Sequence, residues 1–403
     1  MSKDIYNEKN WKKNIACLLI SQAISMIGTM MVQYAIIWYV TLTTSSGTVI
    51  GLMSCAGLLP MVLVMPYAGA LADHFNRKKI AIISDGCVAI ISLVLAIIFF
   101  TNGGMKKDIP LLLGVLFIRS IGQGFQSPAV SSIVPQITPE KYLVQVNGID
   151  QTIQAAMMLV SPALSASLLA GISLAWIVLI DCITAIIGIT IMLFEVKIPL
   201  LTLSKEDPVK VFEQIKTGIK YIRTHKILIT LITAGFIGSM LSTAASNFGP
   251  LQITRKFHDG LWQLSAIEIG FALGMLLGGL FTSFWGGFKD KIKTIAFGYS
   301  LLIIPFILLG ITLDFWIYLI TMVVVGFIVP ISRTAMISFL QSETDHNYMG
   351  RVMSVVTMAI SIASPITMLI IGPLADIISI DWIMIVSGIM LTPLTIWIFK
   401  KSS

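Results

Sequence analysis

The sequence predicts an all-α membrane protein, twelve transmembrane helices in two pseudo-symmetric six-helix bundles. Three observations lead there. Charged residues make up 12% of the 403 and hydrophobic ones 56%, whereas a soluble domain carries about 25% charged. Apolar windows of about 20 residues, the length that crosses a bilayer, recur down the whole chain. The two halves also echo each other: Val134-Pro135-Gln136 before Gly148 matches Phe339-Leu340-Gln341 before Gly350 at an offset of 205, and Ser161-Pro162 matches Ser364-Pro365 at 203. Two offsets so close to half the chain predict a duplicated six-helix unit.

The windows fall at Ile15–Leu42, Thr48–Leu71, Ile80–Thr101, Leu111–Val134, Asn147–Gly171 and Leu174–Phe194. After a break they resume at Ile227–Phe248, Leu261–Gly287, Ile292–Leu313, Phe315–Leu340, Val352–Ile371 and Trp382–Phe399. The polar start and the length of the first apolar run argue against a cleavable signal peptide. The break divides the chain into a first bundle, residues 1–194, a cytoplasmic linker, 195–226, and a second bundle, 227–403. Within the linker, Val211, Phe212, Ile215 and Ile219 alternate with Lys210, Glu213, Lys216 and Lys220 at helical spacing. They predict an amphipathic helix that connects the bundles, with a membrane-surface role as the other reading.

The net charge of +7 is a topology signal rather than a sign of nucleic-acid binding. With the N-terminus inside, 21 of the 27 Lys and Arg fall on the cytoplasmic side and only Lys106, Lys107, Arg255 and Lys256 outside. That asymmetry predicts both termini in the cytoplasm. Trp38, Trp176, Trp262, Trp316 and Trp382 map to outer span ends and Trp11, Trp285 and Trp397 to inner ends, as an aromatic belt would hold them. The four cysteines lie inside apolar runs and the four histidines in scattered loops, so neither a metal site nor a cofactor is predicted. No phosphate-binding glycine loop occurs and no nucleophile–base set stands out, which argues against an enzyme.

Each charge at mid-membrane costs about 2.5–3.5 kcal/mol on insertion scales, so those inside spans need a use. They are Asp85, Arg119, Asp150, Asp181, Glu268 and Arg333. Arg119 lies nearest the midplane. Asp181 and Glu268 are the acids best placed for reversible protonation, and Asp85, Asp150 and Arg333 sit within two turns of the cytoplasm. The acids look dispersed across spans and depths. Polar residues and methionines add a second set: Gln22 and Gln33, Gln123 and Gln126, Gln151 and Gln154 with Met157 and Met158, then Met240, Thr243, Asn247, Met353, Thr357 and Met358. Amides with flexible methionines suit a roomy pocket for bulky, mostly apolar ligands; ordinary helix–helix hydrogen bonding is the alternative. Gln22, Gln33, Gln123, Gln126, Gln154, Met158, Met240, Asn247 and Met358 are the substrate-binding candidates.

Gly69-Ala70-Leu71-Ala72-Asp73-His74-Phe75-Asn76-Arg77-Lys78-Lys79 makes a short polar turn between two spans, so those spans are antiparallel neighbours. Its small residues predict a close helix approach. Asp73 is placed to meet Arg77 or a nearby helix N-terminus. The turn resembles the signature after the second helix of major facilitator superfamily transporters, with Gly69, Leu71, Asp73, Arg77 and Lys78 on matching positions and Asn76 where that family usually has Gly. In the second half Gly286-Gly287-Phe288-Lys289-Asp290-Lys291 reads as a decayed copy, without the acid in register.

Arg119-Ser120-Ile121-Gly122-Gln123-Gly124 resembles the superfamily's fourth-span motif, which implies proton transfer and coupling at Arg119. Ser161-Pro162 stands where antiporters of the superfamily carry Gly-Pro. Over its full length the chain resembles the macrolide-efflux (Mef-type) branch of the drug:proton antiporters. That resemblance implies export of a bulky hydrophobic antibiotic driven by proton influx; Asp181, Glu268, Arg119, Asp85 and Asp150 are the candidates for proton coupling. The implied partners are a small hydrophobic or amphipathic substrate, protons and the lipid bilayer of a bacterial cell membrane. The chain is expected to act as a monomer, with a separate ATPase partner left open. Uptake or facilitated diffusion of a small or lipid-like solute is the alternative reading.

Overall fold

The computed structural model describes residues 8–101, 109–198, 210–257, 260–345 and 348–402. Among these the chain forms thirteen α-helices, one 3-10 turn (Glu140–Tyr142) and no strand. The helices are α1 (Glu8–Thr44), α2 (Gly47–His74), α3 (Arg77–Thr101), α4 (Ile109–Ile137), α5 (Leu143–Gly171) and α6 (Leu174–Phe194), then α7 (Lys210–Thr224). The second series is α8 (Lys226–Lys256), α9 (Leu261–Trp285), α10 (Lys291–Ile311), α11 (Phe315–Glu343), α12 (Met349–Ile377) and α13 (Ile380–Ser402). Twelve of these, all but α7, are long and apolar enough to cross a membrane. Helices satisfy every backbone polar group internally, which lipid demands. Lys106, Lys107, Lys205, His258 and His346 lie outside the described residues, as does the linker from 199 to 209.

The chain divides into two compact units, residues 1–39 with 56–211, and residues 40–55 with 212–403. The division departs from a simple halving at one place. The end of α1 and the start of α2 pack with the second unit, because the carboxylate of Asp376 on α12 caps α2. It accepts from the amide of Gly47 (2.6 Å), the amide of Thr48 (2.9 Å) and the hydroxyls of Ser46 (2.9 Å) and Thr48 (2.6 Å). A carboxylate at a helix N-terminus satisfies orphan N–H groups and complements the helix dipole. Arg255 of α8 completes the clasp, donating to Asp376 (3.0 Å) and to the carbonyls of Ser45 (2.6 Å) and Ala375 (2.5 Å).

In the first unit α3 packs between α4 and α6. In the second, α10 packs on α11 and α13, α9 on α11, and α8 on α12 and α13. The α9–α11 contact is backbone on backbone: a Cβ at Gly274 or Gly278 would run into the backbone of Val323 or Phe327. Glycines four apart therefore let the two helices touch.

Helix α7 runs from Lys210 to Thr224 within the linker. Ile219 is exposed, while Gly218 meets the backbone of Arg351 and Ile222 is buried. Tyr221 stacks between His225 and Tyr348, at 4.3 and 4.6 Å.

The tryptophans split as well. Trp176, Trp262, Trp316 and Trp382 are exposed as a belt requires, but Trp11 and Trp38 are buried. Trp11 stacks on Tyr142 (4.9 Å) and Trp38 leans on Tyr34 (5.4 Å), so both serve packing.

Candidate functional site

A polar ladder runs through the interior of the first unit, and it follows from helical spacing. Residues seven apart lie on one face, two turns or about 10 Å from each other. Three helices each place a pair at that spacing: Gln22 and Thr29 on α1, Asp85 and Ser92 on α3, Arg119 and Gln126 on α4. Folding these helices together with α6 brings Thr29, Ser92 and Arg119 to one level around Asp181. Gln22, Asp85 and Gln126 form the other level.

At the first level Arg119 and Asp181 form an ion pair, their side chains 3% and 1% exposed. The same guanidinium nitrogen, Nη1, donates to both the Asp181 carboxylate and the Ser92 hydroxyl. Ser92 in turn donates to Asp181 (2.8 Å), and Thr29 donates to its other oxygen (3.2 Å). Gly28 makes this level possible, because a Cβ there would collide with Thr184 and stand 3.0 Å from the Asp181 backbone. The second guanidinium nitrogen, Nη2, is buried without a hydrogen-bond partner among the described residues. At the second level Gln126 donates to Gln22 (2.6 Å), and Asp85 lies within electrostatic reach of Asp181.

The acids are therefore not dispersed as expected. Arg119, Asp85 and Asp181 gather in one cluster because α3, α4 and α6 pack together. Asp150 stands apart, held by Gln154 one turn along its own helix (2.8 Å). Arg333 is exposed on α11. Glu268 lies on α9 in the second unit, half-buried, with no hydrogen bond among the described residues. The second unit also holds a network that sequence reasoning missed. Tyr318 donates to Gln252 (2.9 Å), and Gln252 donates to Asp381 (2.6 Å) and to the Leu309 carbonyl (3.0 Å). Lys256 pairs with Asp381 (3.2 Å).

The turn after α2 holds the first unit together through helix ends. Arg77 donates to the carbonyls of Ala72 and Ser132, both at 2.9 Å. Lys78 donates to those of Leu193 (2.9 Å) and Val196 (2.7 Å). The last carbonyls of a helix have no partner of their own and carry its negative pole, so cations suit them. The side chain of Asp73 lies outside the described residues. The predicted close approach at Gly69 is not found, since a Cβ there meets nothing within 4 Å, whereas Ala72 is buried. Its counterpart in the second half has kept its work despite its altered sequence. Lys291 reaches the Ser338 carbonyl near the end of α11 (3.2 Å), and Asp290 caps α10 through the amides of Ile292 and Lys293. Gly286 and Gly287, at φ +72° and +80°, end α9 in the left-handed conformation that glycine permits.

Ser161 and Pro162 are both buried in α5, and the Ser161 hydroxyl has no partner among the described residues. Proline there removes one helical hydrogen bond. Of the substrate-binding candidates, Gln22, Gln33, Gln123, Gln126, Gln154 and Met158 belong to the first unit, and Met240, Asn247 and Met358 to the second. Within the first unit Gln126 donates to Gln22. Thr29 and Ser92 were missed, although their seven-residue spacing from Gln22 and Asp85 was there to be read. Among the described residues no group of acids, histidines and cysteines is arranged to hold a metal ion.

The sequence profile of the Major Facilitator Superfamily matches residues 18–368. Macrolide efflux protein A of Streptococcus pyogenes is 31% identical over 386 residues, 95% of this chain and 94% of that protein. Macrolide efflux protein A of Enterococcus faecalis is 31% identical over 318 residues, 78% and 97% of the two chains. Among solved structures, a mutant of the nucleoside transporter NupG superposes with a TM-score of 0.75, covering 97% of this chain and 99% of its own, at 14% identity.

Proposed function

Because the chain belongs to the major facilitator superfamily, in its macrolide-efflux branch, and is a multi-pass membrane transporter rather than an enzyme, we propose that it exports bulky hydrophobic compounds by proton antiport with alternating access. Macrolide-type antibiotics are the proposed substrates, on the strength of the two relatives named for macrolide efflux. The observation that carries the coupling is the buried Arg119–Asp181 pair. A buried ion pair repays its desolvation only while both charges are present and hydrogen-bonded. A proton on Asp181 cancels one of them. Arg119 then holds an uncompensated charge, and its unused Nη2 is free to seek another acceptor, with Asp85 the next carboxylate in the cluster. Proton binding thus changes what holds α4 to α6, which is the differential stabilisation that a conformational switch requires.

The energetics suffice. One charge moving inward gains about 2.3 kcal/mol per 100 mV, and each tenfold of substrate gradient costs about 1.4 kcal/mol. One proton therefore sustains a gradient of roughly tenfold or more. In this reading both termini are cytoplasmic in a bacterial cell membrane, the chain works as a monomer, and the amide and methionine candidates of each unit bind the substrate.

The test is accumulation of a labelled macrolide in cells expressing the wild type or Asp181→Asn, with and without an uncoupler. Antiport predicts low accumulation in wild-type cells, restored to the level of non-expressing cells by the uncoupler and by the substitution. Export that survives the uncoupler would instead point to an ATPase partner, and higher accumulation in expressing cells to uptake.

A further inference from the structure

Helix α5 differs from the other spans of the first unit. It is the least buried of the twelve, with 22% of its apolar window buried against 33% or more in each of the others, yet its first half carries amides and an acid. Asn147, Gln151, Gln154 and Met158 recur at steps of four, three and four residues, so they share one helical face. Asn147 and Gln151 are exposed, Gln154 is half-buried and Met158 is 37% exposed. Asp150 borders this stripe. Its carboxylate is half-buried and accepts from Gln154 through one oxygen (2.8 Å), and no cation pairs with it among the described residues.

Further along α5 the same face is covered. Ser161 and Ser165 continue it at steps of three and four, and both are fully buried. Ser165 donates to the Met31 carbonyl of α1 (3.1 Å). The Ser161 hydroxyl, where the cover begins, is buried without a partner among the described residues. Acyl chains offer no hydrogen bonds, so a half-open row of amides and a carboxylate within a span belongs to a water-filled recess rather than to lipid. Helix α5 therefore presents a wall that is wet and open over residues 147–158 and closed from Ser161 onwards.

We propose that this wall binds the amphipathic substrate and that Asp150 is its cation anchor, so that the transporter selects bulky apolar compounds bearing an ammonium group. The ammonium N–H donates to the Asp150 oxygen that Gln154 leaves free, in place of a contact to water. Gln154 positions the acid, holding the other oxygen one turn along the helix. Asn147 and Gln151 offer donors and acceptors to the hydroxyl and carbonyl groups of an oxygen-rich ligand. Met158, unbranched and polarizable, adapts to an apolar surface of irregular shape. The Ser161 hydroxyl closes the recess with one more hydrogen bond to give.

The anchor rests on the export of bulky hydrophobic compounds proposed above and adds the charge that the substrate must carry. The probes are a labelled macrolide whose amino sugar carries a tertiary amine, protonated at neutral pH, and the same macrolide demethylated and acetylated at that nitrogen, a neutral amide of similar size. Equilibrium binding of each to the full-length transporter in lipid nanodiscs is measured at one pH for the wild type, Asp150→Asn, Asp150→Glu and Gln151→Leu. The wild type is expected to bind the amine about tenfold more tightly than the amide, the scale of one hydrogen bond to a charged group. Asp150→Asn is expected to bind both as the wild type binds the amide, which also shows that it is folded, and Asp150→Glu to restore the preference. Gln151→Leu is expected to weaken both probes by a similar factor. Equal affinities in the wild type, or an amine preference that survives Asp150→Asn, would overturn the anchor and leave macrolide export standing. Weakening of both probes in Asp150→Asn without rescue by Asp150→Glu would make the acid structural and overturn the anchor as well. A wild type that binds neither probe would overturn the anchor together with the macrolide reading.

Discussion

Arg119 and Asp181, 62 residues apart in the chain, share one oxygen of the acid and one nitrogen of the guanidinium with Ser92 between them. Removing either charge has different consequences from neutralising one while keeping its shape. Asp181→Asn still offers an oxygen to Arg119 and Ser92, so the protein inserts and folds while concentrative export is lost. Asp181→Ala leaves a bare buried cation, a defect worth about 3–5 kcal/mol. Arg119→Met combined with Asp181→Leu recovers much of that stability without recovering transport. Thermal unfolding in detergent alongside the accumulation assay distinguishes these outcomes.

Gly28→Ala tests the contact that brings α1 to the pair. The added methyl has no room against Thr184 and the Asp181 backbone, and overpacking of this kind costs about 1–3 kcal/mol. Gly69→Ala is the matched control, since a methyl there meets nothing. Its unfolding midpoint is expected to stay at or slightly above that of the wild type. A midpoint for Gly28→Ala equal to that of Gly69→Ala would show that α1 does not seat on α6 at this glycine.

Lys78→Ala removes two hydrogen bonds to carbonyls at the end of α6, and Lys291→Ala one to α11. Hydrogen bonds to charged groups contribute about 1.5–3 kcal/mol, less where solvent screens them. Both substitutions are expected to lower the unfolding midpoint, Lys78→Ala the more, and Arg at either site to preserve it. An unchanged midpoint in Lys291→Ala would mean that the second copy of the turn has lost its structural role.

Asp376→Ala strips the cap from α2 and one acceptor from Arg255. Loss of an N-cap costs about 0.5–2 kcal/mol, and the effect should be local. Amide exchange at Gly47, Thr48 and Val49 is expected to accelerate while the α10–α13 core keeps its protection. Asp376→Asn should fall between the two. Uniform acceleration across the unit would contradict a local clasp.

The twelve spans, the place of α7 and the turn after α2 were legible in the sequence. Hydropathy, helical period and turn chemistry belong to short stretches of chain, and each can be read where it stands. The faces of the polar ladder were legible in the same way. Gln22 with Thr29, Asp85 with Ser92 and Arg119 with Gln126 must share a helical face whatever the fold. Expectation and structure part where a neighbour matters. Trp38 packs inside rather than anchoring at an interface, Asp85 stands near Asp181 rather than remote from it, and the turn at Lys291 still binds a helix end.

What the amino-acid sequence determined by itself was which segments cross the membrane and which side chains each helix holds together. Only the tertiary structure decided who meets whom: Arg119 with Asp181, Tyr318 with Gln252, Asp376 with the start of α2. The reason lies in the solvent. In water an apolar stripe marks the face that must be covered, but in lipid an apolar helix is as much at home against acyl chains as against another helix. Hydropathy therefore leaves helix order undetermined, and small residues such as Gly28 and Gly274, together with a few paired polar groups, settle it.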